Sequence, residues 1–146
     1  MNISFNFSST ISLESRKDLK NFISFIFKKE HKKCESLSIV FCSDDFLLDI
    51  NKTYLHHNYF TDIITFNLSA PNSKFIDGEI YISVDTIRDN ATKFLNTIKI
   101  ELHRVIFHGV LHLCNYEDNS RLKKLQMTSR EDYYLELYFK GSTWKQ

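Results

Sequence analysis

The sequence predicts an α+β fold, a mixed sheet of about four strands covered by helices, with a central helix that carries two histidines. Three observations predict it. Alternating apolar residues, the mark of half-buried strands, recur through Ile82, stretches with apolar residues at helical spacing lie between them, and from Ile87 onward only helical spacing is found. The length of 146 residues, with 42% hydrophobic and 25% charged residues, suits one compact domain spanning residues 1–146.

Ile3, Phe5 and Phe7 alternate with polar residues and predict the first strand. Leu19, Phe22, Ile23, Ile26 and Phe27 share one helical face. Leu37, Ile39 and Phe41 predict the second strand, and Asp44 or Asp45 is expected to cap a helix carrying Leu47, Leu48 and Tyr54. A loop with His56 and His57 leads to a third strand over residues 61–68. The segment Ala70 to Asp77 holds the only proline beside Asn72, Ser73 and Lys74 and reads as a loop, after which Gly78 opens a fourth strand of Ile80 and Ile82. Three helices follow: one marked by Ile87, Ala91 and Phe94, one by Ile98, Leu102, Val105 and Ile106, and one by Leu122, Leu125 and residues 132–139.

Composition removes several function classes. The three cysteines, Cys34, Cys42 and Cys114, are odd in number and lack C-x-x-C spacing, so neither a disulfide framework nor a zinc finger is expected and a reducing cytoplasm is. No secretory signal and no membrane-spanning stretch is evident. A net charge of +1 gives no long-range field for nucleic acid, so a nucleic-acid site would need a local cationic groove. Arg88, Lys93, Lys99 and Arg104 before the histidines, and Arg121, Lys123, Lys124 and Arg130 after them, are the candidate lining charges.

The chemistry concentrates in FHGVLHLCNYED, residues 107–118. On a helix, His108 and His112 stand one turn plus about 40° apart, so both imidazoles project from one face toward a shared ion. Asn115 tolerates the left-handed conformation that ends helices and can return Asp118 toward them. Two imidazoles and one carboxylate leave a fourth position on a divalent ion for water, the layout of a catalytic zinc site. With six histidines in the chain, an i,i+4 pair followed by a further potential ligand at this spacing has on the order of 0.04 chance occurrences. His103 lies about 140° around the helix from His108 and is a poor ligand. Gly109 costs about 1 kcal/mol in a helix relative to Ala, so substrate or a packed strand must approach the backbone there. A zinc protease needs a glutamate as general base after the first histidine, and Gly109 holds that position.

The run HGVLHLCNYED resembles the H-G-x-L-H-L-x-G-Y-D-H signature of the YbeY family of bacterial metal-dependent endoribonucleases, involved in rRNA maturation. His108, Gly109, Leu111, His112, Leu113 and Tyr116 match, while Asn115 stands for Gly, Glu117 for Asp and Asp118 for the third His. Upstream, Asn51, Tyr54 and TDIITF (61–66) resemble the family's N-x-x-Y and T-[DN]-V-L-S-F, and GEIYIS (78–83) its G-D-I-x-I strand. The likeness covers the chain from about residue 36, with the first 35 residues alike only in pattern.

The resemblance implies a zinc-dependent endoribonuclease that cleaves single-stranded RNA, with rRNA of the small ribosomal subunit, the ribosome or assembly factors as partners and no membrane. It implies one Zn²⁺ on His108, His112 and Asp118, with Fe²⁺ or Ni²⁺ as alternatives because a carboxylate hardens the site. Beyond a water on that metal no catalytic residue is assigned; Asp62, Glu79 and Glu117 are the nearby acidic candidates. Leu55 falls where the family usually has an arginine thought to contact RNA phosphate, with His56 and His57 directly after it. Tyr54, Tyr59 or Phe60 are candidates to stack on bases. The alternatives are a non-catalytic ribosome-assembly factor with a structural metal, and a metal hydrolase acting on a non-RNA substrate.

Overall fold

A computed structural model describes residues 1–59, 61–141 and 144. In chain order the elements are β1 (Asn2–Phe7), α1 (Arg16–Lys29), β2 (Lys33–Cys42), α2 (Asp44–Leu55), β3 (Ile63–Asn67), β4 (Phe75–Ser83), α3 (Val84–Lys93), α4 (Ile98–Leu113) and α5 (Arg121–Lys140). The four strands form one sheet in the order β1-β2-β4-β3. β1 runs parallel to β2 and β2 parallel to β4, while β3 pairs antiparallel with β4, so the sheet is mixed as the sequence predicts. The parallel pair β1–β2 requires a crossover, which α1 supplies.

The two faces of the sheet are covered unequally. Leu37, Ile39 and Phe41 of β2 and Ile80 and Ile82 of β4 join Phe22, Ile23, Ile26 and Phe27 of α1 and the apolar side chains of α4 between Leu102 and Leu113 in one large core. α2 lays Leu47 and Ile50 on the opposite face, against Cys42 and Ile64. α4 is apolar around most of its circumference, from Leu102 to Leu113, and such a helix is stable only when surrounded. It packs against β3, β4, α1, α3 and α5.

Caps account for several boundaries. Ser43, Ser83, Thr97 and Ser120 each accept a hydrogen bond from the backbone N–H three residues on, at the starts of α2, α3, α4 and α5. The expected cap at Asp44 or Asp45 is corrected to Ser43, whose hydroxyl already faces the N–H of Phe46. Asp44 instead accepts hydrogen bonds from the Ser83 and Thr86 hydroxyls, tying α2 to α3. The predicted loop over residues 70–77 is too long: β4 begins at Phe75, which pairs with Lys33, and Gly78 lies inside it. A Cβ on Gly78 would stand 2.7 Å from Leu113 Cδ1, so the glycine serves close approach of α4 rather than a turn. Phe94, Leu122 and Leu125, expected as inward markers, are exposed.

Candidate metal centre

α4 ends in a turn that the sequence dictates. Asn115 adopts φ 72°, the Asn115 N–H donates to the His112 carbonyl and the Tyr116 N–H to the Leu111 carbonyl. This pair of bonds is a Schellman motif, with asparagine in the left-handed position usually held by glycine. The turned chain brings two groups back over the helix end. The Tyr116 carbonyl lies 3.0 Å from His112 Nδ1. Asp118 Oδ2 lies 3.3 Å from His108 Nε2 and 3.7 Å from His112 Nε2.

Each histidine has its Nδ1 committed. His112 Nδ1 faces the Tyr116 carbonyl, and His108 Nδ1 lies 2.5 Å from Glu131 Oε2. A carbonyl and a carboxylate both require a donor, so both Nδ1 atoms carry a proton and each Nε2, the atom that faces Asp118, is the one whose lone pair a metal would take. Potential ligand atoms of His108, His112 and Asp118 lie within 4.8 Å of one another. A tetrahedral ion with bonds near 2.05 Å has donor–donor edges of about 3.4 Å. The two histidine–aspartate separations fall on either side of that value, so the donor set fits a divalent ion.

Glu131 is the residue that the sequence did not reveal. It sits on α5, 5% exposed, and its second oxygen accepts from Arg104 at 3.0 Å. Arg104 also holds Asp132 at 2.7 Å. Such a carboxylate behind a ligating histidine fixes the ring and raises its basicity. No signal within residues 107–118 points to it, because the contact joins residues 23 apart in sequence. Burial drives His108 toward its neutral form, but the hydrogen bond and charge of Glu131 and the charges of Asp118 and Asp62 outweigh it and hold its pKa above the ordinary histidine value. Burial and the neighbouring His108 hold His112 below that value.

The three acidic candidates separate. Asp62, just before β3, lies within electrostatic range of His108, Asp118 and Glu131, and burial pushes its carboxyl above the usual range. Glu117 is exposed and paired with Lys123 at 2.5 Å. Glu79 accepts from the Tyr81 hydroxyl at 3.0 Å. His103 is buried, its Nδ1 2.7 Å from the Lys99 carbonyl and its ring stacked on Tyr138, which makes it a core residue. Gly109 faces β3 and β4: a Cβ there would stand 2.9 Å from Ile63 Cδ1 and from Ile80 Cδ1. Packed strands, rather than substrate, are what approach the helix at Gly109.

A cavity of about 470 Å³ opens beside His112, bordered by Asn51, Leu55, His57, Tyr59 and Thr65 among others. Tyr59 and His57 stack at 5.1 Å, and the Tyr59 hydroxyl lies 2.9 Å from His57 Nδ1. Tyr54 is exposed and does not border this cavity, and Phe60 lies outside the described residues. Asp118 also borders a separate cavity with Arg121 and Lys124. The remaining expected lining cations are engaged elsewhere. Arg88 donates to the Thr10 carbonyl, Lys93 lies over Phe94, Lys99 pairs with Glu14, and Arg130 pairs with Glu30.

A mixed four-stranded sheet, whose central helix offers two histidines and whose helix-ending turn returns a carboxylate to them, defines an α+β protein with a side-chain group that could hold a metal ion. Sequence and structure comparisons narrow the class. The family described as Endoribonuclease YbeY matches residues 3–138, so the likeness expected from residue 36 onward reaches into β1. Endoribonuclease YbeY of Cytophaga hutchinsonii is 43% identical over 125 residues, 86% of this chain and 87% of that protein. The protein of the same name from Flavobacterium psychrophilum is 39% identical, covering 93% and 96%. The solution structure of TM1509 from Thermotoga maritima superposes with a TM-score of 0.61 at 26% identity, over 94% of this chain and 89% of that one. The chain belongs to the Endoribonuclease YbeY family.

Proposed function

We propose that this family member is a zinc-dependent endoribonuclease that cleaves single-stranded RNA during maturation of small-subunit rRNA in the cytoplasm, with His108, His112 and Asp118 as the metal ligands. The convergence of both histidine Nε2 atoms on Asp118 Oδ2, with both Nδ1 atoms already engaged, carries the reading. A divalent ion bound there would supply Lewis acidity toward a phosphoryl oxygen. The residues supply the rest. Glu131 and the Tyr116 carbonyl hold the imidazoles in one tautomer and one orientation, which is the preorganisation that catalysis requires. Asp62, which burial holds above the usual carboxylate range, is a further carboxyl within electrostatic range of His108. The stacked His57–Tyr59 pair gives an unpaired base an aromatic surface, which favours single strands over duplex.

Leu55 at the usual arginine position favours a second reading, a ribosome-assembly factor that keeps the metal without cleaving. One experiment separates them: metal content by mass spectrometry together with cleavage of a single-stranded RNA, on wild type and His112→Ala. Stoichiometric zinc and cleavage, both lost in the variant, support the nuclease. Stoichiometric zinc without cleavage moves the assignment to the assembly factor. Absence of metal after reconstitution overturns the centre.

A further inference from the structure

Among the described residues, the cavity beside His112 has no lysine or arginine on its walls. It shares Asn67, Leu113 and Asn115 with a second cavity of about 630 Å³, so the two are neighbouring stretches of one surface trough. The second stretch has the opposite character. His31 and Lys32 reach it from the turn between α1 and β2, Lys33 from the first position of β2, and Lys74 from the loop between β3 and β4. Among the described residues no carboxylate borders it, although Glu35 and Asp77 stand on the adjoining strands.

What sets these cations apart is that they border one basin together, since most cations among the described residues likewise lack a carboxylate partner. Lys99, Arg104, Lys123 and Arg130 each have a carboxylate partner. Among the described residues Lys32, Lys33 and Lys74 have none within ion-pair distance. In a protein of net charge +1, three uncompensated ammonium groups around one polar basin create a local positive potential that the whole molecule lacks. Ser69 and Ser73 border the same basin, with their hydroxyls donating to Asn67 Oδ1 and to the Phe75 carbonyl. A basin with several point charges, no counter-charge and a wall shared with the cavity beside the metal centre suits successive phosphates of one extended polyanion.

We propose that Lys32, Lys33 and Lys74 form a phosphate shelf that holds the RNA strand at a distance from the metal centre and replaces the anchoring that Leu55 cannot provide. The proposal rests on the reading of RNA as substrate. The shelf binds the backbone without regard to sequence, because an ammonium group reads charge and not base edges. It contributes to KM rather than to kcat, since its contacts are the same in the ground and transition states.

The test uses the full chain, its K32Q/K33Q/K74Q variant and its K32R/K33R/K74R variant. Fluorescein-labelled 2′-O-methyl oligouridines of increasing length, which resist cleavage, are titrated by anisotropy at several KCl concentrations. Ribo-oligonucleotides of the same lengths are assayed for kcat and KM. Counterion release predicts a loss of about fourfold per contact at 0.15 M salt, so up to about 50-fold for three, and a salt slope shallower by about 0.7 per contact. The loss is expected only for oligonucleotides long enough to reach the shelf, with kcat retained and with the arginine variant binding like wild type. Unchanged long-oligonucleotide affinity and salt slope in the glutamine variant would overturn the shelf while leaving the nuclease intact. Equal weakening on short and long oligonucleotides would also overturn it, as a general charge effect. A length-dependent loss of binding in a protein that never cleaves would support the shelf and sink the nuclease reading instead.

Discussion

Replacing Glu131 by Gln removes one negative charge behind His108 and leaves the side chain's size unchanged. In the native site the carboxylate bridges His108 Nδ1 at 2.5 Å and Arg104 at 3.0 Å, and it is buried. A hydrogen bond to a charged group contributes about 1.5–3 kcal/mol and a neutral one about 1 kcal/mol, so the histidine contact alone weakens by about 1.5 kcal/mol. Since about 1.4 kcal/mol is tenfold in an equilibrium constant, zinc binding should weaken roughly tenfold, the low end of the effect of such supporting residues. Arg104 keeps Asp132 at 2.7 Å, so the metal-free fold should lose much less than it does in Glu131→Ala, where Arg104 and His108 both lose their buried partner. The assay is competition for Zn²⁺ with a chromophoric chelator, together with the visible spectrum of the Co²⁺ form and thermal melting of the metal-free protein. A Zn²⁺ Kd within twofold of wild type, with an unaltered Co²⁺ spectrum, would refute the claim that Glu131 orients the ligand.

Gly109→Ala gains about 1 kcal/mol of helix propensity but drives a methyl against Ile63 and Ile80, and overpacking costs about 1–3 kcal/mol. A net loss of about 1 kcal/mol should lower the urea midpoint, and a raised midpoint would mean that the two isoleucine side chains yield freely. Burial pushes the Glu30 carboxyl up, but hydrogen bonds from Tyr134, Tyr116 and Arg130 outweigh it and hold its folded pKa below the ordinary glutamate value. A depressed carboxylate contributes stability that is present above the unfolded pKa, near 4.5, and is lost as pH falls through the lower folded value. Glu30→Gln should therefore flatten the stability profile in that acid window, and an unchanged acid limb would contradict the network. Burial pushes the thiols of Cys34 and Cys42 up to about 11 and that of Cys114 to about 12. All three should react with a thiol reagent only after unfolding, and a fast native phase at neutral pH would contradict their burial.

Much of the architecture was legible in local pattern. The core positions of α1, from Leu19 to Phe27, and of β2, from Leu37 to Phe41, follow from spacing because one face of each element must be buried. Boundaries were less legible where tertiary contact decides them. Gly78 reads as a strand opener on turn chemistry, yet it lies within β4 because Leu113 occupies the space of its missing side chain. Phe94, Leu122 and Leu125 fit helical spacing but face solvent, since spacing tells which residues share a face and not whether another element covers it.

The sequence by itself determined that His108, His112 and Asp118 come together, because one helix turn and one helix-ending turn at Asn115 link them through geometries that are local. It also carried the family resemblance through the same run of residues. Only the tertiary structure decided what surrounds the centre. Glu131 reaches His108 from α5, Ile63 and Ile80 crowd Gly109 from the sheet, and Lys32, Lys33 and Lys74 meet in one basin from two separate stretches of chain. The physical reason is separation along the chain: local turns are fixed by neighbouring dihedral angles, whereas contacts between distant segments exist only once the packed core has brought those segments together.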